Sequence, residues 1–172
     1  MKLFSFTLLL VSFCAFVNGQ NKSDYGLLLR PGEKALYSFS LKSNNKTVLI
    51  CTGKDDNYIV YRFGTKDKVE LQYPTVLAPS SWKTFKYDGY SRGGVGNSPE
   101  ELHSITFSNN HITYNIYDDW DGDGNAFDTG IIIITNGKKI KLIGNSSSRV
   151  GTLGVLSDKA KLIPNHYWND NK

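Results

Sequence analysis

Residues suited to a pleated, half-buried surface recur at every second position along this chain, and no window keeps the spacing of an amphipathic helix. Tyr58, Val60 and Arg62 alternate with Ile59, Tyr61 and Phe63. Val69, Leu71 and Tyr73 share one side of the next run, and Ile112, Tyr114 and Ile116 alternate with Thr113, Asn115 and Tyr117. Val, Ile, Tyr, Phe and Thr fill these runs, the residues that pack best on a sheet. Ile131 to Ile134 is continuously apolar, as a strand covered on both faces would be. Asn136-Gly137 separates Ile131–Thr135 from Lys138–Ile143 and suits a type I′ hairpin, because both residues tolerate positive φ. Asn109-Asn110 parts 103–108 from 111–117 in the same way, and Gly53–Asn57 and Gly64–Asp67 join the neighbouring runs. The pattern predicts an all-β fold, an antiparallel β-sandwich or flattened barrel of about nine to ten strands. Only Ser157 to Ile163 suggests a helical turn, with Ser157 at its N-cap.

The first nineteen residues are read as a secretory signal peptide rather than as part of the fold. Lys2 precedes the apolar stretch Leu3 to Phe16, and Val17-Asn18-Gly19 places a small residue before Gln20. The stretch is short for a membrane span, and Phe13 stands before Cys14 where a lipoprotein signal needs a small residue. A cleaved product beginning near Gln20 is expected, with an uncleaved anchor as the alternative. Residues 20–172 suit a single domain with no stable membrane insertion, secreted or periplasmic and monomeric. Cleavage removes Cys14 and leaves Cys51, so no internal disulfide can form. Cys51 follows Val48-Leu49-Ile50 and is read as a small buried hydrophobe. Losing Lys2 lowers the net charge from +4 to +3, and the basic residues are scattered rather than striped, which argues against nucleic acid.

The blocks Tyr58-Ile-Val-Tyr-Arg-Phe-Gly64, Val69-Glu-Leu-Gln-Tyr-Pro74, Ser81-Trp82 with Phe85 and Tyr87, and Ser91-Arg92-Gly93-Gly94 occur in that order. Tyr114-Asn-Ile-Tyr-Asp-Asp119 and Asn136-Gly-Lys138 with Gly144 continue the series. Together they resemble a group of small secreted or periplasmic bacterial β-proteins of uncharacterised function, over roughly Cys51 to Leu156. The resemblance implies location and fold more than activity. In general plan the chain is also similar to periplasmic β-proteins that inhibit lysozymes or neutralise imported cell-wall hydrolases, although their loop signatures are not matched residue for residue. That similarity implies an inhibitor or immunity-type role against a cell-wall hydrolase, and architecture alone does not fix function.

Two long segments break the strand rhythm, Asp88 to Glu101 and Asp118 to Gly130, and loops of that length usually carry function. In the second, Asp119, Asp121 and Asp123 followed by Gly124 match the first half of a calcium loop. The closing position falls on Gly130, so Asp128 would have to serve as the remaining ligand. Calcium is the one cofactor this pattern suggests, and a solvated acidic hairpin is the alternative. In the first segment, Arg92, Gly93, Gly94 and Asn97 form a candidate binding loop. The glycines expose backbone N–H groups, and arginine grips a carboxylate or phosphate in bidentate fashion. Tyr90 and Trp82 precede it as candidate aromatic contacts, with core packing as the alternative for Trp82.

His103, His111 and His166 lie in no metal-ligand or nucleophile motif, and Glu70, Glu100 and Glu101 are the scattered carboxylates from which a glycosidase pair would have to come. The expectation is therefore a non-enzymatic binding protein of the envelope or extracellular space, with a protein or glycan partner. A secreted hydrolase and a calcium-stabilised structural protein are the alternatives.

Overall fold

The computed structural model describes residues 24–159 and Ile163. The leader and His166 lie outside these described residues. Nine strands form one continuous antiparallel sheet: β1 (Lys34–Leu41), β2 (Thr47–Thr52), β3 (Ile59–Thr65), β4 (Lys68–Tyr73), β5 (Lys86–Arg92), β6 (Glu100–Asn109), β7 (Ile112–Asp121), β8 (Ala126–Thr135) and β9 (Lys138–Gly151). Their order is β4-β3-β2-β1-β9-β8-β7-β6-β5, two meanders joined where the first strand meets the last. The all-β antiparallel architecture follows the alternation of the sequence. The halves of one curled sheet face each other, in place of two separate sheets.

Strand β9 makes the curl. Lys138–Ile143 pairs with β8, and Gly144–Gly151 pairs with β1 across an irregularity between Ser38 and Ser40. A strand that changes partners along its length turns a corner in the sheet. Asp118 of β7 holds that corner. Its carboxylate, 2% exposed, accepts from Arg149 Nε at 2.5 Å, Arg149 Nη2 at 3.0 Å, Thr152 Oγ1 at 2.8 Å and the Leu153 N–H at 2.9 Å. Beneath it the inward residues of both halves interlock. Tyr61 of β3 lies 4.9 Å from Phe107 of β6 between ring centroids, and Tyr73 of β4 stacks on Phe107 at 4.3 Å. Burial of such side chains contributes roughly 1.5–3 kcal/mol each.

The turns follow the residues that tolerate positive φ. Asn136 (φ 49°) and Gly137 (φ 71°) close the β8–β9 hairpin as expected. The β6–β7 turn is carried by Asn110 and His111, one residue later than Asn109-Asn110, so His111 is a turn residue. Both long segments are shorter than the sequence suggests. β5 runs to Arg92, leaving 93–99 as the loop, and β7 and β8 extend to Asp121 and Ala126, leaving Gly122–Asn125 as a tight turn. Cross-strand pairing extends into both segments, which their turn-rich composition conceals. The helical turn expected at Ser157 begins earlier, spanning Leu153–Lys159, and the Ser157 hydroxyl donates back to Gly154 O at 2.6 Å.

The outer face of β1–β4 is covered by Asp24–Glu33, over a second cluster of Leu28, Leu49, Cys51 and Val60. Cys51 is fully buried, and burial pushes its thiol up to about 12. Arg62 of β3 also points to this side, and its guanidinium meets Glu33 at 2.6 and 2.8 Å with both side chains out of solvent. Leu28 O and Gln72 Oε1 accept two further Arg62 hydrogen bonds. Burial alone would raise the Glu33 carboxyl, but hydrogen bonds from Arg62, the Arg30 N–H and Tyr58 hold it below its ordinary value.

Removing one partner of a buried pair leaves a charge with no compensation. Arg62→Met is therefore expected to lower unfolding free energy by about 3–5 kcal/mol, and Glu33→Gln with Arg62→Met by much less. Urea unfolding of the three proteins tests this, and equal losses in the single and double variants would contradict it. With its pKa lowered on folding, Glu33 contributes stability above the ordinary carboxylate range. That contribution is lost as pH falls through the lower folded value.

Candidate functional site

The outer face of β5–β9 has no covering segment among the described residues, and it carries an open hollow of about 490 Å³. Strand alternation decides which side chains reach it. Tyr87, Ile105, Ile116 and Ile131 turn inward to the core, so their neighbours turn outward. Three cross-strand rows result. Tyr90 pairs with Leu102, Asp119 and Asp128 along one, and Asp88 with Ser104, Tyr117 and Gly130 along the next. Thr106, Asn115, Ile132 and Lys141 form the third.

Gly130 makes the floor. A Cβ there would lie 2.5 Å from Tyr117 Oη and 2.4 Å from Leu142 O, so only glycine lets the Tyr117 ring lie across the strand. Laid down in this way, Tyr117 is 5% exposed although it faces outward. Its hydroxyl donates to Asp128 Oδ1 at 3.4 Å. Lys141 Nζ sits 4.9 Å from the ring centroid and 3.2 Å from Asp128 Oδ2. Leu102 and Ile132 add apolar surface, and Asp88, Glu100 and Asp119 line the hollow with carboxylates. Burial, reinforced by the Asp128 and Asp118 carboxylates, pushes Asp119 up to about 6. A half-buried carboxylate facing other carboxylates in a hollow is the kind of perturbed group that marks binding and catalytic sites.

The two segments singled out in the sequence meet at one end of this face, where the Gly122 N–H donates to Pro99 O at 2.9 Å. Their residues have different fates. Tyr90 lines the hollow. Gly93, Gly94 and Asn97 are exposed in the loop, outside the hollow's lining. Arg92 closes its own loop, donating to Ser98 O at 3.0 Å and lying 3.4 Å from Glu100, so its fork is already engaged. Trp82 is core: it is 2% exposed in the turn Pro79–Thr84, and its Nε1–H donates to Asp56 O at 2.9 Å. An outside ligand cannot stack on it.

The candidate calcium residues are spread along the β7–β8 hairpin. Among the described residues no three His, Cys, Asp or Glu side chains come together as a metal requires. Asp119 and Asp121 lie on a strand, where alternate residues are spaced roughly 7 Å apart instead of curling around an ion. Asp121 Oδ1 accepts the Asp123 N–H at 3.0 Å, which builds the turn, and Asp128 is paired with Lys141. The acidic run folds as a hairpin, with β7 and β8 joined by the turn Gly122–Asn125.

Of the scattered catalytic candidates, His103 comes close to Glu101 and, with Glu100, lines the larger hollow. Glu70 is paired with Lys46 at 2.7 Å on the other half of the sheet. Glu100 and Glu101 are strand neighbours and face opposite sides. His103 is buried, hydrogen-bonded through Nδ1 to Tyr87 Oη at 2.9 Å, with Nε2 3.8 Å from Glu101. On that side Glu101, Trp120, Phe127 and Arg149 line a smaller hollow of about 330 Å³. Sequence reading missed Asp88, Leu102, Asn115, Ile132 and Lys141 as members of one site. Alternation places each on a face of its own strand, but only the register aligns the strands.

No protein-family model, curated protein or solved structure matches the chain.

Asp119 gives a pH-dependent prediction. Its raised folded pKa means that ionisation costs stability as pH climbs from the ordinary carboxylate range toward about 6. Asp119→Asn should therefore stabilise the protein at pH 7.5 by about 1 kcal/mol after allowance for solvent screening, or roughly 2–4 °C in Tm. The gain should vanish below about pH 4, where the carboxyl is protonated in both states. Thermal unfolding across pH measures it, and a loss of stability at pH 7.5 would refute the assignment.

Proposed function

We infer that this chain is a non-enzymatic binding protein of the envelope or extracellular space, and that its partner seats on the outer face of β5–β9. The observation carrying this reading is the hollow itself, an apolar floor with a carboxylate rim on a sheet face that no segment covers among the described residues. Contiguous exposed apolar surface rimmed by polar groups is the usual mark of an interaction site. Export follows from the expected signal peptide, and secretion or a periplasmic location belongs to the proposal.

Within this class the specific reading is inhibition of a basic cell-wall hydrolase. A mature net charge of +3, the +4 of the full sequence less Lys2, would oppose such a partner. The hollow reverses that locally: Glu100 is paired with Arg92 and Lys141 with Asp128, which leaves the Asp88 and Asp119 carboxylates without an ion-pair partner among the described residues. Complementary fields of this kind speed encounter and suppress wrong partners. The purified mature chain is expected to lower muramidase activity on bacterial cell walls. The effect should weaken as salt rises toward about 0.5 M, because added ions screen the pairing. Asp88→Asn with Asp119→Asn should relieve it. No inhibition of several lysozyme classes at low salt removes the inhibitor version. Glycosidase, peptidase or esterase turnover that disappears in Glu101→Ala would replace the binding role with the hydrolase alternative.

A further inference from the structure

We propose that the hollow on β5–β9 receives a Lys or Arg side chain of a basic protein partner, its aliphatic stem on Leu102 and Ile132 and its charged head between Tyr90, Asp88 and Asp119. The inference rests on the binding role above and names the chemistry of recognition.

The molecule already displays that chemistry within itself. Lys141 lays an ammonium over the Tyr117 ring and against the Asp128 carboxylate at the edge of the hollow. An aromatic face beside a carboxylate attracts a cation through the ring quadrupole and through charge together. In the same hollow Tyr90, Asp88 and Asp119 offer the same groups; Lys141 acts on Asp119 only through space, and among the described residues no cation lies within ion-pair distance of either carboxylate. A neutral sugar would leave both carboxylates desolvated without a counter-charge, which is costly.

The surroundings select a protein as the source of the cation. Leu102, Ile134 and Ile143 are 38%, 42% and 41% exposed on this face. Their apolar surface extends past what one small amine could cover. The opposite outer face shows how the fold treats such surface when it is not an interface, since Asp24–Glu33 covers the cluster around Val60 and supplies Glu33 to Arg62. A second copy of this chain is a poor occupant, because a two-fold contact sets the same patch against itself and brings carboxylate to carboxylate.

Amide chemical-shift titration of the labelled mature chain tests this with four probes: N-acetyl-lysine methylamide, its norleucine analogue, n-pentylamine and chitotriose. The blocked lysine is expected to bind on the order of millimolar, shifting Leu102, Asp119 and Ile132, while the norleucine analogue and chitotriose leave them in place. Asp119→Asn, which is expected to fold at least as stably, should weaken the lysine probe at least about fivefold, and Asp88→Asn should act in the same direction. Stronger shifts with chitotriose or the norleucine analogue would overturn cation recognition. Binding of n-pentylamine tighter than about 10 μM would make the hollow a receptor for a free amine and overturn the protein source. A dimer in sedimentation that buries these amides would overturn it in favour of a second copy. If no probe reaches the hollow while the chain still inhibits a muramidase, this inference falls and the binding role stands.

Discussion

Asp118 gathers the chain at the place where the sheet changes direction. Its carboxylate takes two hydrogen bonds from Arg149, one from Thr152 and one from the Leu153 N–H. Arg149 and Gly151 end the strand that began against β8 and finishes against β1, so a residue of β7 fixes the corner joining the two meanders. Around it Tyr37 bonds Thr129, and Thr129 Oγ1 donates to Tyr117 O at 3.1 Å, linking β1, β8 and β7. A carboxylate buried here without those donors would be strongly unfavourable, so the corner and the polar network depend on each other. The curl they impose brings Tyr61 and Tyr73 onto Phe107 and closes the core.

The same curl gives the molecule two outer faces of opposite character. Over β1–β4 the segment Asp24–Glu33 lies on Leu49, Cys51 and Val60, and Glu33 neutralises Arg62. Buried ion pairs of this kind add little stability over an apolar substitute, but their geometry specifies where the covering segment must lie. Over β5–β9 nothing comparable is present among the described residues, and Tyr117 lies flat on Gly130 to leave a hollow. Burial and the neighbouring carboxylates raise Asp119 to about 6 in that hollow, so its ionisation costs stability.

The site was legible only in pieces. Tyr90 was named from its aromatic character beside a glycine-rich segment, and it does line the hollow. Asp119 stands out in the sequence by its acidic spacing, and in the fold it lines the hollow as a strand carboxylate. Trp82 and Arg92 looked available and are engaged elsewhere, because a one-dimensional pattern does not distinguish an aromatic facing solvent from one plugging a core. Asp88, Ser104 and Lys141 carried no local signal, since an isolated polar residue on a strand resembles any solvated position.

By itself the sequence determined the class of fold. Period-two alternation requires strands, and Asn136-Gly137 requires a tight hairpin, since both follow from backbone sterics acting over a few residues. It determined as well that Val48 to Ile50 lead Cys51 into the interior. Tertiary structure alone decided that β9 serves both halves, that Asp118 faces inward to Arg149 while Asp119 faces outward, and that, among the described residues, one outer face is covered and the other bare. The physical reason is register. A slip of one residue reverses every side chain on a strand, and the choice between the two settings is made by contacts among residues far apart in sequence, such as Asp118 with Arg149 and Glu33 with Arg62.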